Sequence, residues 1–186
     1  MSCWRSTAKV VAWRGSMDCG SCSWLWSTWV KAPVLENSDI LIVSACLPVV
    51  NPKLFTQLSQ GRTVLLACPE RESPTHYGKI ASIIRSSKPR RITIVTIDGS
   101  PHCFTLHASA NEAEYILGEK VNKEHFVVVN GKELVRVSPN AVRAARYLSL
   151  VNEIVERDPE VLKKLESLSK EYRAALGFND RPISTY

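Results

Sequence analysis

No run of the 186 residues is apolar for long enough to cross a bilayer. A membrane-spanning role is therefore not expected. The first residues lack a basic stretch followed by a clean apolar run and a small-residue cleavage site. Arg5, Lys9 and Arg14 interrupt that region, so a secretory signal is not expected either, and the cytoplasm is the expected location. There is no glycine-rich phosphate loop, and no Gly-x-Gly-x-x-Gly follows the first strand-like run, which counts against a nucleotide-binding domain. Strong charge of one sign is also missing: the net charge is +6. The main basic cluster, Arg85, Lys88, Arg90 and Arg91, carries no interleaved aromatics. It reads first as a solvated helix end and next as a contact for an acidic protein, and nucleic-acid binding is not expected.

What is present suits a globular chain. Hydrophobic residues make up 45% and charged residues 23%, enough for one sizeable core. Lys9 to Trp13 reads as a first strand, followed by a Gly- and Ser-rich loop holding Cys19-Gly-Ser-Cys22. All five tryptophans fall in the first 29 residues, and Trp24, Trp26 and Trp29 suggest a segment over the sheet or a protein contact. Asp39 to Ser44, Thr63 to Ala67 and Arg91 to Ile97 are near-continuous apolar runs, as in strands covered on both faces. Between them, Asn51-Pro52 and Ser73-Pro74 offer helix caps with proline at the first turn. Phe104 to Leu117 reads as a helix ended by Gly118. The next segment is a hairpin around Asn130-Gly131, then two amphipathic helices opened by Ser138-Pro139 and Asp158-Pro159.

These elements predict an α/β protein: an open, mostly parallel, four-stranded sheet of flavodoxin- or Rossmann-like type, with a C-terminal β-hairpin and two amphipathic helices. The expected division is 1–118 for the α/β unit, 119–178 for a hairpin and helical appendage, and 179–186 for a loose tail.

Five of the six cysteines follow expected strand ends: Cys19, Cys22, Cys46, Cys68 and Cys103. In open parallel sheets, ligands bind outside the carboxyl ends of the strands, so residues far apart in sequence converge there. Cytosolic thiols that cluster more often bind metal or do redox chemistry than form stable disulfides. The tight spacing of ferredoxins and the paired Cys-x-x-Cys of zinc ribbons are both absent, so the signal lies in placement rather than spacing. The favoured ligand set is Cys19, Cys22, Cys68 and Cys103, with Cys46 in reserve. His102 is a further cofactor-binding candidate, although a cap or loop role is the ordinary reading for it. Asp18, Asp98, Glu70 and Glu72 border the same edge, with turn formation as their default role.

The stretch from Asp39 to His107 resembles the α/β portion of ferredoxin-like 4Fe-4S proteins of anaerobes. The residues that carry the resemblance are Cys46-Leu47-Pro48, Cys68-Pro69-Glu70, Tyr77-Gly78-Lys79-Ile80, Ile92-Thr93-Ile94-Val95 and Pro101-His102-Cys103. His102 stands where that family has the first cysteine of a Pro-Cys-Cys turn. Val10 to Trp13 with Asp18-Cys19-Gly20-Ser21-Cys22 is similar to the strand-to-CxxC opening of nickel–iron hydrogenase small subunits. The resemblances imply a cysteine-lined sheet edge that binds an iron–sulfur cluster, with 4Fe-4S favoured. The expected function is an electron carrier or accessory subunit of a redox complex, favoured over a stand-alone enzyme, with a redox protein as partner. Two alternatives stand beside it. One is thiol–disulfide or sulfur-transfer chemistry at Cys19 and Cys22, with a following helix N-terminus lowering a thiol pKa. The other is a zinc-stabilised adaptor.

Overall fold

The computed structural model describes residues 22–72 and 76–177, and of residues 76 and 77 the backbone alone. The Lys9–Trp13 strand, Cys19, Asp18, the Ser73-Pro74 cap and the 179–186 tail lie outside the described residues. Among the described residues six strands form one sheet: β1 (Cys22–Trp24), β2 (Asp39–Ser44), β3 (Thr63–Ala67), β4 (Arg91–Ile97), β5 (Lys123–Val129) and β6 (Glu133–Val137). Their order is β1-β3-β2-β4-β5-β6, and only the β5–β6 pair is antiparallel.

The three apolar runs form the strands expected of them, because both sheet faces are covered. Along β2, Ile40 and Ile42 pack on one face against helices α3 (His76–Ser87) and α4 (Pro101–Leu117). Leu41 and Val43 point the other way, toward α1 (Leu47–Val50) and α2 (Pro52–Ser59). Strand side chains alternate between faces, so a strand buried on both sides must be apolar at every position. The Asn51 cap is in place: its Oδ1 accepts from the Leu54 N–H at 3.0 Å, with Pro52 at the first turn. Gly118 closes α4 in the left-handed conformation, φ 67°.

Several expectations change. The hairpin is no appendage, since β5 lies parallel beside β4 in register Ile94↔His125 and extends the sheet from four strands to six. The boundary expected at residue 118 thus falls inside one continuous sheet. The parallel partner was hidden because β5 is half buried and its run looks the same whichever strand it joins. In place of the two expected C-terminal helices, the described residues hold four: α5 (Pro139–Ala144), α6 (Leu148–Arg157), α7 (Glu160–Leu168) and α8 (Lys170–Ala175). Finally, α4 starts at Pro101 rather than Phe104, so His102 and Cys103 sit in its first turn. Ser100 is its N-cap, and proline at the first position suits a helix start.

Candidate functional site: a thiol-lined sheet edge

The chain runs up β2, steps to β3 on one side, then crosses to β4 on the other. The strand order therefore reverses between β2 and β4, and a crevice opens there outside the carboxyl ends of the strands. Three thiols sit on this rim. Cys46 follows β2 and caps α1. Cys68 follows β3, and Cys103 lies in the first turn of α4 after β4. All three are free thiols.

They are close enough to feel one another. The Cys46 thiol is pushed above its ordinary pKa, first by partial burial and then by Cys68, Cys103 and Glu70. Like charges nearby disfavour the ionised form of Cys46. The Ser44 hydroxyl, at the end of β2, lies 3.1 Å from the Cys103 sulfur and joins the two sides of the crevice. The Cys103 N–H donates to the Ser100 hydroxyl at 3.4 Å.

The loop after β3 is held by Glu72. Its two carboxylate oxygens accept from the Cys68 N–H at 2.8 Å and the Trp26 N–H at 3.0 Å. The N–H groups of Arg71 and Glu72 return to the Cys68 carbonyl. The Arg71 guanidinium sits 5.2 Å from the centre of the Trp24 ring. One carboxylate thus fixes the Cys68 turn and ties it to the segment after β1, where Trp26 and Trp29 are exposed. His102 Nδ1 lies 3.0 Å from Glu70 Oε1, so these two bridge the turns after β3 and β4 at the rim.

The structure therefore brings together Cys46, Cys68, Cys103 and, at the margin, His102. It does not bring Cys22 there. Cys22 opens β1 in register with Val64, near the amino end of β3, and packs toward α2. About four residues of strand, roughly 13 Å, separate that level from Cys68. Cys22 is also disulfide-bonded, and it opens a strand rather than leading into a helix N-terminus. Cys-x-x-Cys suggests a loop, because the three-residue strand that begins at its second cysteine is too short to show a pattern. Ser44 gives little signal in the sequence. It is a polar residue closing an otherwise apolar run, which is ordinary at a strand end.

Thiols of this kind are the donors that iron–sulfur clusters take. Among the described residues, however, no three or more His, Cys, Asp or Glu side chains form a group that could hold a metal ion. No described helix is long and apolar enough to cross a membrane. No curated protein and no solved structure gives a match to the chain. A family model described as a Rossmann-like domain matches residues 32–176, a span that takes in the switch-point crevice and all three rim thiols, and the chain belongs to that family.

Proposed function

We propose that the chain is an iron–sulfur protein, an electron carrier or an accessory subunit of a redox complex, with Cys46, Cys68 and Cys103 as three cluster ligands. The observation that carries this reading is the convergence of three free thiols from three adjacent parallel strands on one switch-point rim. A fourth ligand would come from outside the described residues, where Cys19 is the sequence's candidate. The ligand set thus shifts from the one the sequence favoured: Cys46 replaces Cys22.

A bound cluster would supply one-electron transfer. The chain's own part is to hold the thiols on short turns and to keep Cys68 oriented through the Glu72 carboxylate. Exposed Trp26 and Trp29, tied to the Cys68 turn, suit a docking contact for a redox partner. The test is anaerobic reconstitution with iron and sulfide. The expected product is brown, with broad visible absorption and acid-labile sulfide, and Cys46→Ser, Cys68→Ser and Cys103→Ser each lower its iron content. A colourless, iron-free product, or three substitutions without effect, would sink the reading.

One observation favours a second reading, thiol–disulfide exchange at Cys19 and Cys22: Cys22 is disulfide-bonded. On that reading the iron-free protein shows a reversible two-electron couple that Cys22→Ser abolishes and Cys103→Ser leaves intact.

A further inference from the structure

Among the described residues, helices α6, α7 and α8 contain no buried residue. They are ten, nine and six residues long, and isolated helices this short are marginal in water. Two of them carry an apolar stripe on the surface. On α6, Leu150 and Ile154 stand four residues apart on one face, with Ile154 52% exposed. On α7, Leu165 and Leu168 are exposed in the same way. This helical arm joins the body where α6 meets α5, and within it α7 packs with α8. Contiguous exposed apolar side chains mark a contact surface.

A groove lies at the foot of the arm. It has a volume of about 610 Å³ and runs between the C-terminal half of α4 and α5. Tyr115 and Tyr147 line it, 83% and 61% exposed, and Tyr147 leads directly into α6. Tyrosine is enriched at the energetic centres of interfaces. The groove is too small for a whole helix, about 10–12 Å across, and suits the side chains of one helix face.

The charges of both surfaces favour a second copy of the same chain. The groove lining holds three acids, Glu112, Glu114 and Glu119, and three bases, Lys120, Arg143 and Arg146, so its formal charge is balanced. Residues 148–177 hold five Lys and Arg against six Asp and Glu, and Glu153–Arg157 and Glu160–Lys163 pair within their own helices. A polyanion or a strongly charged protein finds no field of one sign here. Two copies of such a surface meet without like-charge repulsion. Each copy also carries both halves of the contact, arm and groove, side by side.

We infer that two copies of this chain associate reciprocally, the Leu150–Ile154 face of α6 in each copy entering the α4–α5 groove of the other. The same patch then serves both copies, as two-fold symmetry requires. The contact contributes to association rather than to the core, so unfolding of the dilute monomer does not depend on it. Nor does it involve the rim thiols.

The test is analytical ultracentrifugation of the full chain, metal-free and in a thiol reductant, from about 1 µM to about 300 µM, because the dimer fraction follows protomer concentration. The expected result is a shift from monomer to dimer mass across that range. Ile154→Asp on the arm and Tyr115→Ala in the groove should each weaken association about tenfold or more. Far-UV circular dichroism should be unchanged in both, and Ile154→Leu should associate like the parent. A mixed pair of the two variants keeps one intact arm-in-groove contact. An Ile154→Asp chain and a Tyr115→Ala chain should therefore bind each other more tightly than either binds itself. A parent that stays monomeric at the highest concentration overturns the inference, and so does a dimer that neither substitution weakens. If mixing restores nothing, or only Ile154→Asp has an effect, the arms meet each other directly and the arm-in-groove contact is wrong.

Discussion

At the scale of single residues, the buried charge states are set by burial more than by partners. His107 on α4 and His125 on β5 meet through their Nδ1 atoms at 3.0 Å, and His107 Nε2 lies 2.8 Å from the Thr96 hydroxyl. Burial lowers His107 to a pKa of about 4. His125 is lowered to about 3 by burial first and then by the nearby charges of His107 and Lys123. Both are neutral in the fold, one giving and one accepting the shared proton. In the unfolded chain each titrates near 6.5, so between about pH 6.5 and 4 the unfolded chain binds more protons. Stability is therefore full above about pH 6.5 and falls as the pH drops toward the folded values, by about 2 kcal/mol at pH 5 for His107 alone. Urea unfolding at pH 7.5 and pH 5 checks this. A His107→Gln/His125→Gln protein should show a clearly shallower pH dependence, and matching slopes would rule the pair out as its source. At the thiol rim, Glu70→Gln removes one of the charges that hold Cys46 up. Cys46 should then alkylate faster at pH 8 in that variant, as read by mass mapping. Thiol types and strand-end positions were legible in the sequence. The His107–His125 contact was not, because one residue is on a helix and the other on a strand 18 positions away.

At the scale of elements, the hairpin shows how local and distant constraints meet. Asn130 and Gly131 both have positive φ, 49° and 71°, as the Asn-Gly pair predicts for a tight turn. What the sequence does not disclose is where the turn tip lands. The Asn51 side-chain amide donates to the Gly131 carbonyl at 3.1 Å while the same side chain caps α2. A Cβ on Gly131 would stand 2.8 Å from a Val50 methyl. Gly131→Ala therefore combines a backbone penalty with a clash and should cost about 1–2 kcal/mol. Asn51→Ala loses both the cap and the tie and should cost about as much. Thermal or urea midpoints would reveal either, and a neutral Gly131→Ala would mean that the tip is not held against α1.

At the scale of the whole molecule, stability is concentrated in the sheet and its two covering layers. Helices α6, α7 and α8 contain no buried residue, whereas α4 alone buries seven. A chain ending at Tyr147 should thus keep its cooperative unfolding, with a midpoint within about 4 °C of the parent, the shift expected for a change of about 1 kcal/mol. A much larger drop would show that these helices support the core. The sequence by itself determined the α/β class, the three central strands, the Asn51 and Ser138 helix caps and the thiols beyond three strand ends. Each of these is a short-range pattern: an unbroken apolar run, a cap-plus-proline pair, a cysteine after a strand. Only the tertiary structure decided that the hairpin widens the sheet, that Cys22 lies at the far end of β1 from the rim, and that Ser44 reaches Cys103. Those outcomes depend on strand order and register, which bring together residues tens of positions apart and leave no periodic trace in the chain.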